Sequence, residues 1–207
     1  MVNALIVLAL SYLVGSIPNG YLIGKFNGLD IRHHGSKNIG ATNVRRILGR
    51  DWGILCFVLD FLKGVVPVVF IGRSFGNMEY SGIIAAIGAV LGHVFPVWLG
   101  FHGGKGVATS LGVVVGLAPF PFFVGIVIWL LSFYFAFRGV VSIASMLSVL
   151  IMALTAFVCK LFGFRSAPDW ITVTLLFILA IIIIVRHKEN IKRLQEGKEN
   201  SFFEIKK

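Results

Sequence analysis

The chain has 207 residues, of which 57% are hydrophobic and 14% are charged, whereas soluble domains contain roughly 45–50% apolar residues. This excess excludes an ordinary soluble domain, because one soluble core could not bury all of the long apolar runs in the sequence. The net charge of +10 does not predict a nucleic-acid partner, because the basic residues are confined to a few loops, as in multispanning membrane proteins.

Seven apolar segments approach the length of a transmembrane helix, since about 20 residues are needed to cross roughly 30 Å of hydrocarbon. They lie at residues 3–24, 52–72, 80–100, 107–118, 119–137, 140–162 and 169–186. The fourth is short, and Pro119 and Pro121 separate it from the fifth, so a re-entrant segment and a total of six spans are the alternative. The first segment lacks the basic start and cleavage site of a signal peptide, and we expect it to be retained.

The loops between these segments predict the orientation of the chain. Seven spans place four hydrophilic segments on one side of the membrane, namely 25–50, 101–106, 138–139 and 187–207. That side carries most of the basic residues, whereas the opposite loops contain only Arg73, Lys160 and Arg165. The positive-inside rule therefore predicts a cytoplasmic carboxyl terminus and an amino terminus outside. The expected fold is all-α and integral to the membrane, with about seven transmembrane helices in one domain, residues 1–207.

The first polar loop contains a run of small and hydrogen-bonding residues. Gly35–Asn43 reads Gly-Ser-Lys-Asn-Ile-Gly-Ala-Thr-Asn, and Arg45 and Arg46 follow it. Small residues let backbone N–H groups approach a ligand, and arginine binds phosphate through two parallel hydrogen bonds. The loop is therefore a candidate anion site, with a plain polar connector as the alternative.

Two charged residues lie inside the second apolar segment. Asp60 and Lys63 are three residues apart, so they share one face of a helix. Charges within the membrane are costly and are functional candidates by default. A structural ion pair and the floor of a binding site are both left open for them.

A second glycine-rich stretch begins the fourth segment. Gly92-His-Val-Phe-Pro leads into Gly103-Gly-Lys-Gly-Val-Ala-Thr, and a glycine-rich turn that opens a helix can bind an anion through free N–H groups and the helix dipole. It is not a Walker A loop, because Gly106 stands where that motif needs Ser or Thr. The alternative is a tight turn whose lysine, Lys105, anchors lipid headgroups, and His93 is more often a packing residue than a base.

The third polar stretch follows the last apolar segment. It runs from Arg186 to Leu194 and continues to Glu199, and positions 186, 190 and 193 share a helical face, so we expect Arg186, Asn190 and Arg193 to point one way together. A basic cluster that binds anionic lipid headgroups is the alternative. Ser142 and Ser145 are weaker candidates, since serines often pack between membrane helices.

The chain lacks the residue sets of several common chemistries. Its nine acidic residues form no cluster of the kind that holds Mg²⁺, so we expect neither a metal nor another cofactor. There is no Gly-x-Ser-x-Gly nucleophile elbow, and no histidine is followed by the His-x-x-x-x-Asp pattern of common glycerolipid acyltransferases. What remains is a metal-free site rich in anion-binding groups at the membrane surface.

The three polar stretches together resemble the acyl-phosphate-dependent glycerol-3-phosphate acyltransferases of bacteria, the PlsY family. The likeness rests on Ser36–Asn43, Gly92–Thr109 and Arg186–Leu194, and Gly15–Pro18 and Asp60–Gly64 also look like family features. Two departures stand out. Lys37 replaces the usual glycine of the first motif, and the stretch Arg138–Ser142 matches the family's Arg-x-x-Ser only loosely.

The resemblance implies transfer of a fatty acyl group from acyl phosphate to the 1-hydroxyl of glycerol 3-phosphate, the first step of bacterial phospholipid synthesis. The products are lysophosphatidic acid and phosphate. It further implies a multi-pass protein of the bacterial inner membrane, expected to be a monomer, with its active site on the cytoplasmic side. A transporter of small organic phosphates is the rival, although such proteins usually contain a repeat, and none is visible here.

The resemblance also implies roles for individual residues. Lys105, His187, Ser36 and Arg46 are the expected catalytic residues. The expected binding residues for substrate and phosphate are Gly40, Ala41, Thr42, Asn43, Gly103, Gly104, Gly106, Ser142 and Asn190. Backbone N–H groups of Gly40–Asn43 and Gly103–Gly106 are expected to bind phosphate, with Lys105 neutralising the leaving group. Either His187 or a phosphate oxygen of a bound substrate accepts the hydroxyl proton, and substrate assistance is preferred.

Overall fold

The structure is a computed structural model that describes residues 2–75, 78 and 80–203. Throughout this part of the chain the regular secondary structure is helical, as the sequence predicts. The last four residues of the predicted cytoplasmic tail, 204–207, lie outside the described residues. The chain divides into two compact units, with the boundary between Leu117 and Ala118.

The first unit contains the first two polar motifs. Its helices are α1 (Val2–Ser16), α2 (Asn19–Phe26), α3 (Ala41–Leu48), α4 (Arg50–Val66), α5 (Gly72–Ser74), α6 (Ser81–Val94) and α7 (Val107–Leu117). A π-helical turn, Pro67–Ile71, joins α4 to α5, and short 3₁₀ turns lie at Ile31–His33 and Val97–Leu99.

The second unit carries the third polar motif. Its helices are α8 (Pro119–Leu131), α9 (Val141–Leu161), α10 (Trp170–Arg186) and α11 (Lys188–Gln195). A π-helical turn, Ser132–Ala136, extends α8. Inside this unit Trp129 Nε1 donates to Ser145 Oγ at 3.2 Å, and Ser148 Oγ donates to the carbonyl of Gly125 at 2.8 Å. Ser145 and Ser148 thus make packing contacts between α8 and α9.

Five helical stretches of the described chain are long and apolar enough to cross a membrane. They are Val2–Phe26, Arg50–Ser74, Ser81–Leu99, Pro119–Ala136 and Val141–Leu161. A sixth is obtained if α10 and α11, which meet at an angle of 55°, are counted as one span.

The fourth predicted segment forms a shorter helix than the others. Helix α7 has 11 residues, so it is about 16 Å long, roughly half the hydrocarbon thickness of a bilayer. It ends before Ala118, whose φ of −145° and ψ of 73° lie outside the helical region, because the residue before a proline is disfavoured in the helical conformation.

A proline also divides the first membrane stretch. Pro18 cannot donate a backbone hydrogen bond, and α1 ends at Ser16 while α2 begins at Asn19. The break releases the carbonyl of Ile17 from the helical pattern, and that carbonyl accepts a hydrogen bond from Lys63 Nζ at 2.7 Å. An apolar segment that reads as one helix therefore carries a polar acceptor in its interior.

Glycines bring the helices of the first unit into backbone contact. A Cβ added at Gly15 of α1 would collide with the carbonyl of Ala89, and one at Gly92 of α6 would collide with the carbonyl of Tyr12. Close approach through small residues is a common way for membrane helices to gain packing energy without a hydrophobic driving force between them. The abundant glycines thus fix how closely α1 and α6 pack.

Candidate active site

The first polar loop is anchored at both ends by buried isoleucines. Ile31 is fully buried and Ile39 is 4% exposed, and both pack in a cluster with Ile23 of α2, Val44 of α3 and Cys56 of α4. This apolar contact holds residues 32–38 at the surface of the unit above the start of α4. The loop is therefore polar on one side and pinned to the core on the other.

An ion pair at the start of the loop adds to this anchoring. Asp30 caps the Ile31–His33 turn by accepting from the N–H of Arg32 at 3.1 Å, and it accepts two further hydrogen bonds from the Arg32 guanidinium at 2.9 and 2.7 Å. The Arg32 guanidinium holds the pKa of the Asp30 carboxyl well below its usual range. Arg32 also lies over the ring of Tyr21, with Cζ 4.7 Å from the ring centroid.

Asn43 organises the loop from below. Its side chain, 2% exposed, accepts from the N–H of Ser36 at 2.9 Å and donates to the carbonyls of His34 and Asn38 at 3.0 and 2.8 Å. One amide thus satisfies three backbone groups of the loop. The sequence predicts a phosphate ligand at this position, whereas the structure directs the polar atoms of the Asn43 side chain to the protein backbone.

Helix α3 begins inside the first motif. Gly40 precedes it in an extended conformation and donates its N–H to Asn38 Oδ1 at 2.9 Å, and the N–H of Asn43 donates to the carbonyl of Gly40 at 3.0 Å. Ala41 and Thr42 are the first two residues of α3, where helix geometry provides no internal acceptor for the N–H groups. Of the four predicted backbone donors, Ala41 and Thr42 are therefore the two best placed to meet an anion.

The two arginines of α3 have different surroundings. Arg45 packs against Gly53, where an added Cβ would collide with the Arg45 side chain. Burial lowers the pKa of Arg45, and the nearby charge of Arg50 lowers it further. Arg46 is exposed, as are Thr42 and Ser36, and Thr42 lies one helical turn before it. This arrangement favours Arg46, the predicted residue, as the phosphate ligand of α3.

Lys37 has a backbone conformation that suits glycine. Its φ is 58°, in the left-handed region that L-residues other than Asn and Asp rarely adopt. The neighbouring Gly35 has a φ of 57°. The family's usual glycine would occupy this conformation without strain, so the lysine adds an exposed charge at a cost of about 1 kcal/mol.

The glycine-lysine loop is tied to the end of α6. The N–H of Gly103 donates to the carbonyl of Val94 and the N–H of Gly104 donates to the carbonyl of His93, each at 3.1 Å. In this structure these two N–H groups attach the loop to α6, which differs from the expectation that they bind phosphate. Gly103 and Gly104 must both be small to make this contact, because a Cβ at either position would collide with His93.

Lys105 is held at the start of α7 between two glycines. Gly104 and Gly106 are buried and Lys105 is partly exposed. Gly106 has a φ of 88°, and its carbonyl accepts from the N–H of Ser110 at 2.8 Å in the first turn of α7. Lys105 therefore lies two residues before α7, and a lysine beside the positive end of a helix is a combination that favours an anion.

A buried polar cluster lies beneath this loop. Asp60 Oδ1 lies 2.9 Å from Lys63 Nζ, and it accepts from Asn19 Nδ2 at 3.0 Å. His93 Nδ1 lies 3.9 Å from the same oxygen, and Thr109 Oγ1 donates to the backbone carbonyl of Asp60 at 3.0 Å. The sequence left the role of Asp60 and Lys63 open, and the structure shows that they form an ion pair that touches the helices on both sides of the glycine-lysine loop.

In the second unit, three donors converge on one carboxylate. Ser142 Oγ and Asn190 Nδ2 donate to Glu199 Oε1 at 2.9 and 2.6 Å, and Arg193 Nε donates to Glu199 Oε2 at 2.7 Å. Burial raises the pKa of Glu199, but the hydrogen bonds from Asn190, Arg193 and Ser142 outweigh it and leave the pKa lowered. Ser142 and Asn190, each predicted as a binding residue, thus both donate to the same carboxylate.

Glu199 was missed by reasoning from the sequence. It lies in the tail beyond α11, after Gly197, whose φ of 66° allows the chain to reverse. Glu199 lies nine residues after Asn190, and that spacing predicts a contact between them only when the chain reversal is known. The common face predicted for Arg186, Asn190 and Arg193 requires one helix, whereas Arg186 ends α10 and the chain bends by 55° before α11, which carries Asn190 and Arg193.

His187 lies at the bend between α10 and α11. It is 3% exposed, and its Nδ1 lies 2.7 Å from the carbonyl oxygen of Ile183. Because a carbonyl oxygen can only accept, Nδ1 carries the proton in this contact. The nitrogen of His187 that is able to accept a proton is therefore Nε2.

Comparison with known proteins agrees with these motifs. The model of the family described as glycerol-3-phosphate acyltransferase matches residues 5–197. A glycerol-3-phosphate acyltransferase of Geobacter sulfurreducens is 43% identical over 203 residues, covering 98% of this chain and 99% of the relative. One of Aquifex aeolicus is 41% identical over 200 residues, covering 97% and 100%.

Solved structures show the same similarity. The crystal structure of PlsY (YgiH), an integral membrane glycerol 3-phosphate acyltransferase, in its glycerol 3-phosphate form has a TM-score of 0.86 and 40% identity, covering 96% of this chain and 95% of that one. Its lysophosphatidic acid form has a TM-score of 0.83, with the same identity and coverage.

Proposed function

This chain belongs to the glycerol-3-phosphate acyltransferase family, and on that premise we propose that its acyl donor is acyl phosphate and its product lysophosphatidic acid. The observation that carries the proposal furthest is the convergence of Ser142, Asn190 and Arg193 on the Glu199 carboxylate. Those donors form an anion-binding set at the third polar motif, which carries Asn190 and Arg193, with Ser142 of α9 beside it. Acyl transfer between two phosphate-bearing substrates needs such sets.

The proposed reaction is a direct acyl transfer. The 1-hydroxyl oxygen of glycerol 3-phosphate attacks the acyl carbonyl carbon, the bond from that carbon to the phosphate oxygen breaks, and inorganic phosphate leaves. The hydroxyl proton passes to a phosphate oxygen of a bound substrate or to His187 Nε2, and we favour the substrate oxygen. Acyl phosphate is a mixed anhydride with a good leaving group, so neither a metal nor a covalent enzyme intermediate is required.

The residues of the first unit are assigned to the acyl phosphate and its leaving group. Lys105 neutralises the charge that develops on the phosphate, and Thr42 and Arg46 bind phosphate oxygens at the start of α3, with Ser36 nearby in the loop. Preorganised donors that meet a developing oxyanion are each worth about 3–4 kcal/mol. Ser142, His187 and Asn190 of the second unit are assigned to glycerol 3-phosphate.

The placement in the membrane is part of the proposal. We propose seven membrane segments, with α7 as the short fourth one, the amino terminus outside and the carboxyl terminus in the cytoplasm. The basic loops 25–50, 101–106 and 187–207 then face the cytoplasm. The protein acts as a monomer in the bacterial inner membrane, and residues 1–207 form one acyltransferase domain.

The test is an assay of phosphate release by detergent-purified protein given palmitoyl phosphate and glycerol 3-phosphate, with EDTA present. The proposal predicts release that needs glycerol 3-phosphate, survives EDTA and is lost in Lys105→Ala. Lys160→Ala is the matched control, because Lys160 lies at the end of α9 outside the polar motifs. If acyl-CoA or acyl carrier protein supports transfer and palmitoyl phosphate does not, the proposed donor is wrong.

A further inference from the structure

The Asp60 cluster is unusual because of its depth in a membrane stretch. Asp60 and Lys63 are 3% and 5% exposed, and Asp60 lies ten residues into the stretch Arg50–Ser74, about 15 Å along the helix. A buried ion pair is weak evidence for stability, since apolar residues of similar size are often as stable. Stability alone therefore does not account for the pair.

The contacts of Asp60 and Lys63 join the α1–α2 break to α7, the helix that the glycine-lysine loop opens. Lys63 Nζ donates to the carbonyl of Ile17 at the break between α1 and α2, and Asn19 at the start of α2 donates to Asp60. Thr109, in the first turn of α7, donates to the carbonyl of Asp60. Asp60 is thus linked to the helix that the glycine-lysine loop opens.

His93 makes the second link, and it reaches the loop itself. It is 4% exposed, and its Nδ1 lies 3.9 Å from Asp60 Oδ1, an electrostatic contact that is longer than a hydrogen bond. The opposite edge of the ring packs on the backbone of Gly104, where a Cβ would collide with Nε2. Because the N–H of Gly104 donates to the carbonyl of His93 at 3.1 Å, both the backbone and the side chain of His93 hold the residue next to Lys105.

We propose that Asp60 and His93 are positioning residues for acyl transfer. Asp60 fixes the orientation of the His93 imidazole, the imidazole fixes the Gly103–Gly106 loop, and the loop fixes the ammonium group of Lys105. This inference rests on the proposed function, since it takes Lys105 as the residue that meets the phosphate. Neither Asp60 nor His93 touches substrate in this scheme.

Two substitutions of His93 separate positioning from simple packing. Asn places a polar atom where Nδ1 lies and therefore keeps the contact with Asp60, whereas Gln is long enough to reach the position of Nε2 beside Gly104. If His93 positions the loop, His93→Asn lowers kcat for phosphate release about 100-fold, because misplacement of a reacting group by about 1 Å has an effect of that size. His93→Gln keeps the contact with Gly104 but loses the one with Asp60, so its kcat is expected to lie between those of His93→Asn and the wild type.

The pattern of kinetic constants and melting temperatures carries the test. Positioning predicts that His93→Asn lowers kcat far more than it raises KM for either substrate, while the thermal midpoint in detergent stays near that of the wild type. The double variant Asp60→Asn with Lys63→Met removes the ion pair without leaving a lone charge, and it is expected to lower kcat in the same way. A wild-type kcat in His93→Asn, or a loss of kcat that follows the melting temperature in all variants, overturns the inference.

A readout that does not depend on activity separates this inference from the proposed function. Hydrogen–deuterium exchange of the segment 100–107 is expected to be about tenfold faster in His93→Asn and in the double variant, because the loop loses its support. Ser148→Ala, which removes a buried hydroxyl bonded to the carbonyl of Gly125, is the control with unchanged exchange in that segment. Unchanged exchange in the His93 and Asp60 variants overturns the positioning role even if the wild type proves inactive.

Discussion

At the scale of single residues, the amide of Asn43 holds the first loop in shape. Asn43→Asp keeps the size of the side chain but turns the donor to the carbonyls of His34 and Asn38 into an acceptor. Two partly buried carbonyls then face an oxygen, so we expect a loss of about 2 kcal/mol in the free energy of unfolding. Thermal melting in detergent and the rate of phosphate release both measure the effect.

The matched control for Asn43 is Asn27→Asp. Asn27 Nδ2 donates to a single carbonyl, that of Ile23, at 2.8 Å at the end of α2. This change is expected to lower the melting temperature less and to leave the rate near that of the wild type. If Asn43→Asp and Asn27→Asp behave alike, Asn43 does not organise the loop.

Glu199 gives a prediction about pH. Hydrogen bonds lower the folded-state pKa of Glu199 despite its burial. The stability that the carboxylate contributes is therefore fully present above the ordinary glutamate pKa of about 4.3. It is lost as the pH falls through the lower folded-state pKa. Glu199→Gln is therefore expected to melt at a lower temperature at pH 7 and to show a smaller decline than the wild type below about pH 4. Melting curves between pH 3 and pH 7 measure both.

Glu196 provides the control for Glu199, since it has the same side chain in the same tail. Its ion pair with Lys198, at 3.1 Å, is largely exposed, and exposed pairs contribute little to stability. Glu196→Gln is expected to melt like the wild type across the pH range. Parallel curves for Glu199→Gln and the wild type would show that the carboxylate contributes nothing to the fold.

The identities of the polar residues could be predicted from the sequence, but the direction in which they point could not. The sequence predicts Ser142 and Asn190 as separate binding residues, and it does not predict that both donate to Glu199, because Ser142 begins α9 whereas Asn190 lies in the short polar helix α11. Asn43 faces backbone carbonyls of an irregular loop, whose path no periodicity encodes. Glu199 depends on a chain reversal at Gly197, so its partners lie far from where a helical pattern would place them.

At the scale of helices, contact between backbones explains where glycine is required. In α6, a Cβ at Gly88 would lie 2.7 Å from the carbonyl oxygen of Leu8 in α1, whereas one at Gly82 would meet only side-chain atoms, the nearest being Leu117 Cδ2 at 3.3 Å. Gly88→Ala is expected to destabilise the protein by about 1–3 kcal/mol through overpacking. Gly82→Ala is expected to be neutral or slightly stabilising, because alanine is the better helix former.

The measurement for these two glycines is thermal melting of both variants in one detergent. They are the same substitution, six positions apart in one helix, so differences in intrinsic helix propensity cancel. Equal melting temperatures would mean that α1 and α6 are able to move apart without cost, and the close contact at Gly88 would then not determine their packing.

The apolar runs predicted the existence of the helices well, and the breaks within them less well. Pro18 and Pro119 mark interruptions that the structure contains, since a proline removes a donor and restricts its neighbour. The bend at His187 has no such marker, because the stretch from Val185 to Lys188 contains neither proline nor glycine. The sequence therefore predicts a continuous helical face through Arg186, Asn190 and Arg193, and it does not predict the 55° bend between Arg186 and Asn190.

At the scale of the whole molecule, the number of membrane crossings determines which loops share a side. Composition predicts seven apolar segments, but the 11 residues of α7 fall short of a full span at about 1.5 Å per residue. Hydropathy alone does not distinguish a short crossing from a re-entrant helix, because both require the same apolar surface. The distribution of basic residues is the independent observation, and it favours seven.

Single cysteines introduced at three exposed positions decide between the two topologies. With seven crossings, His33→Cys and Lys188→Cys lie in the cytoplasm, and a membrane-impermeant maleimide added to intact spheroplasts labels only Arg165→Cys. If α7 is re-entrant, every later loop changes side, so Lys188→Cys becomes labelled and Arg165→Cys is protected together with His33→Cys. The native cysteines, Cys56 and Cys159, are both buried and are expected to react slowly, and unmodified protein measures that background. Labelling of Lys188→Cys from outside would overturn the proposed cytoplasmic position of the motif that carries Asn190.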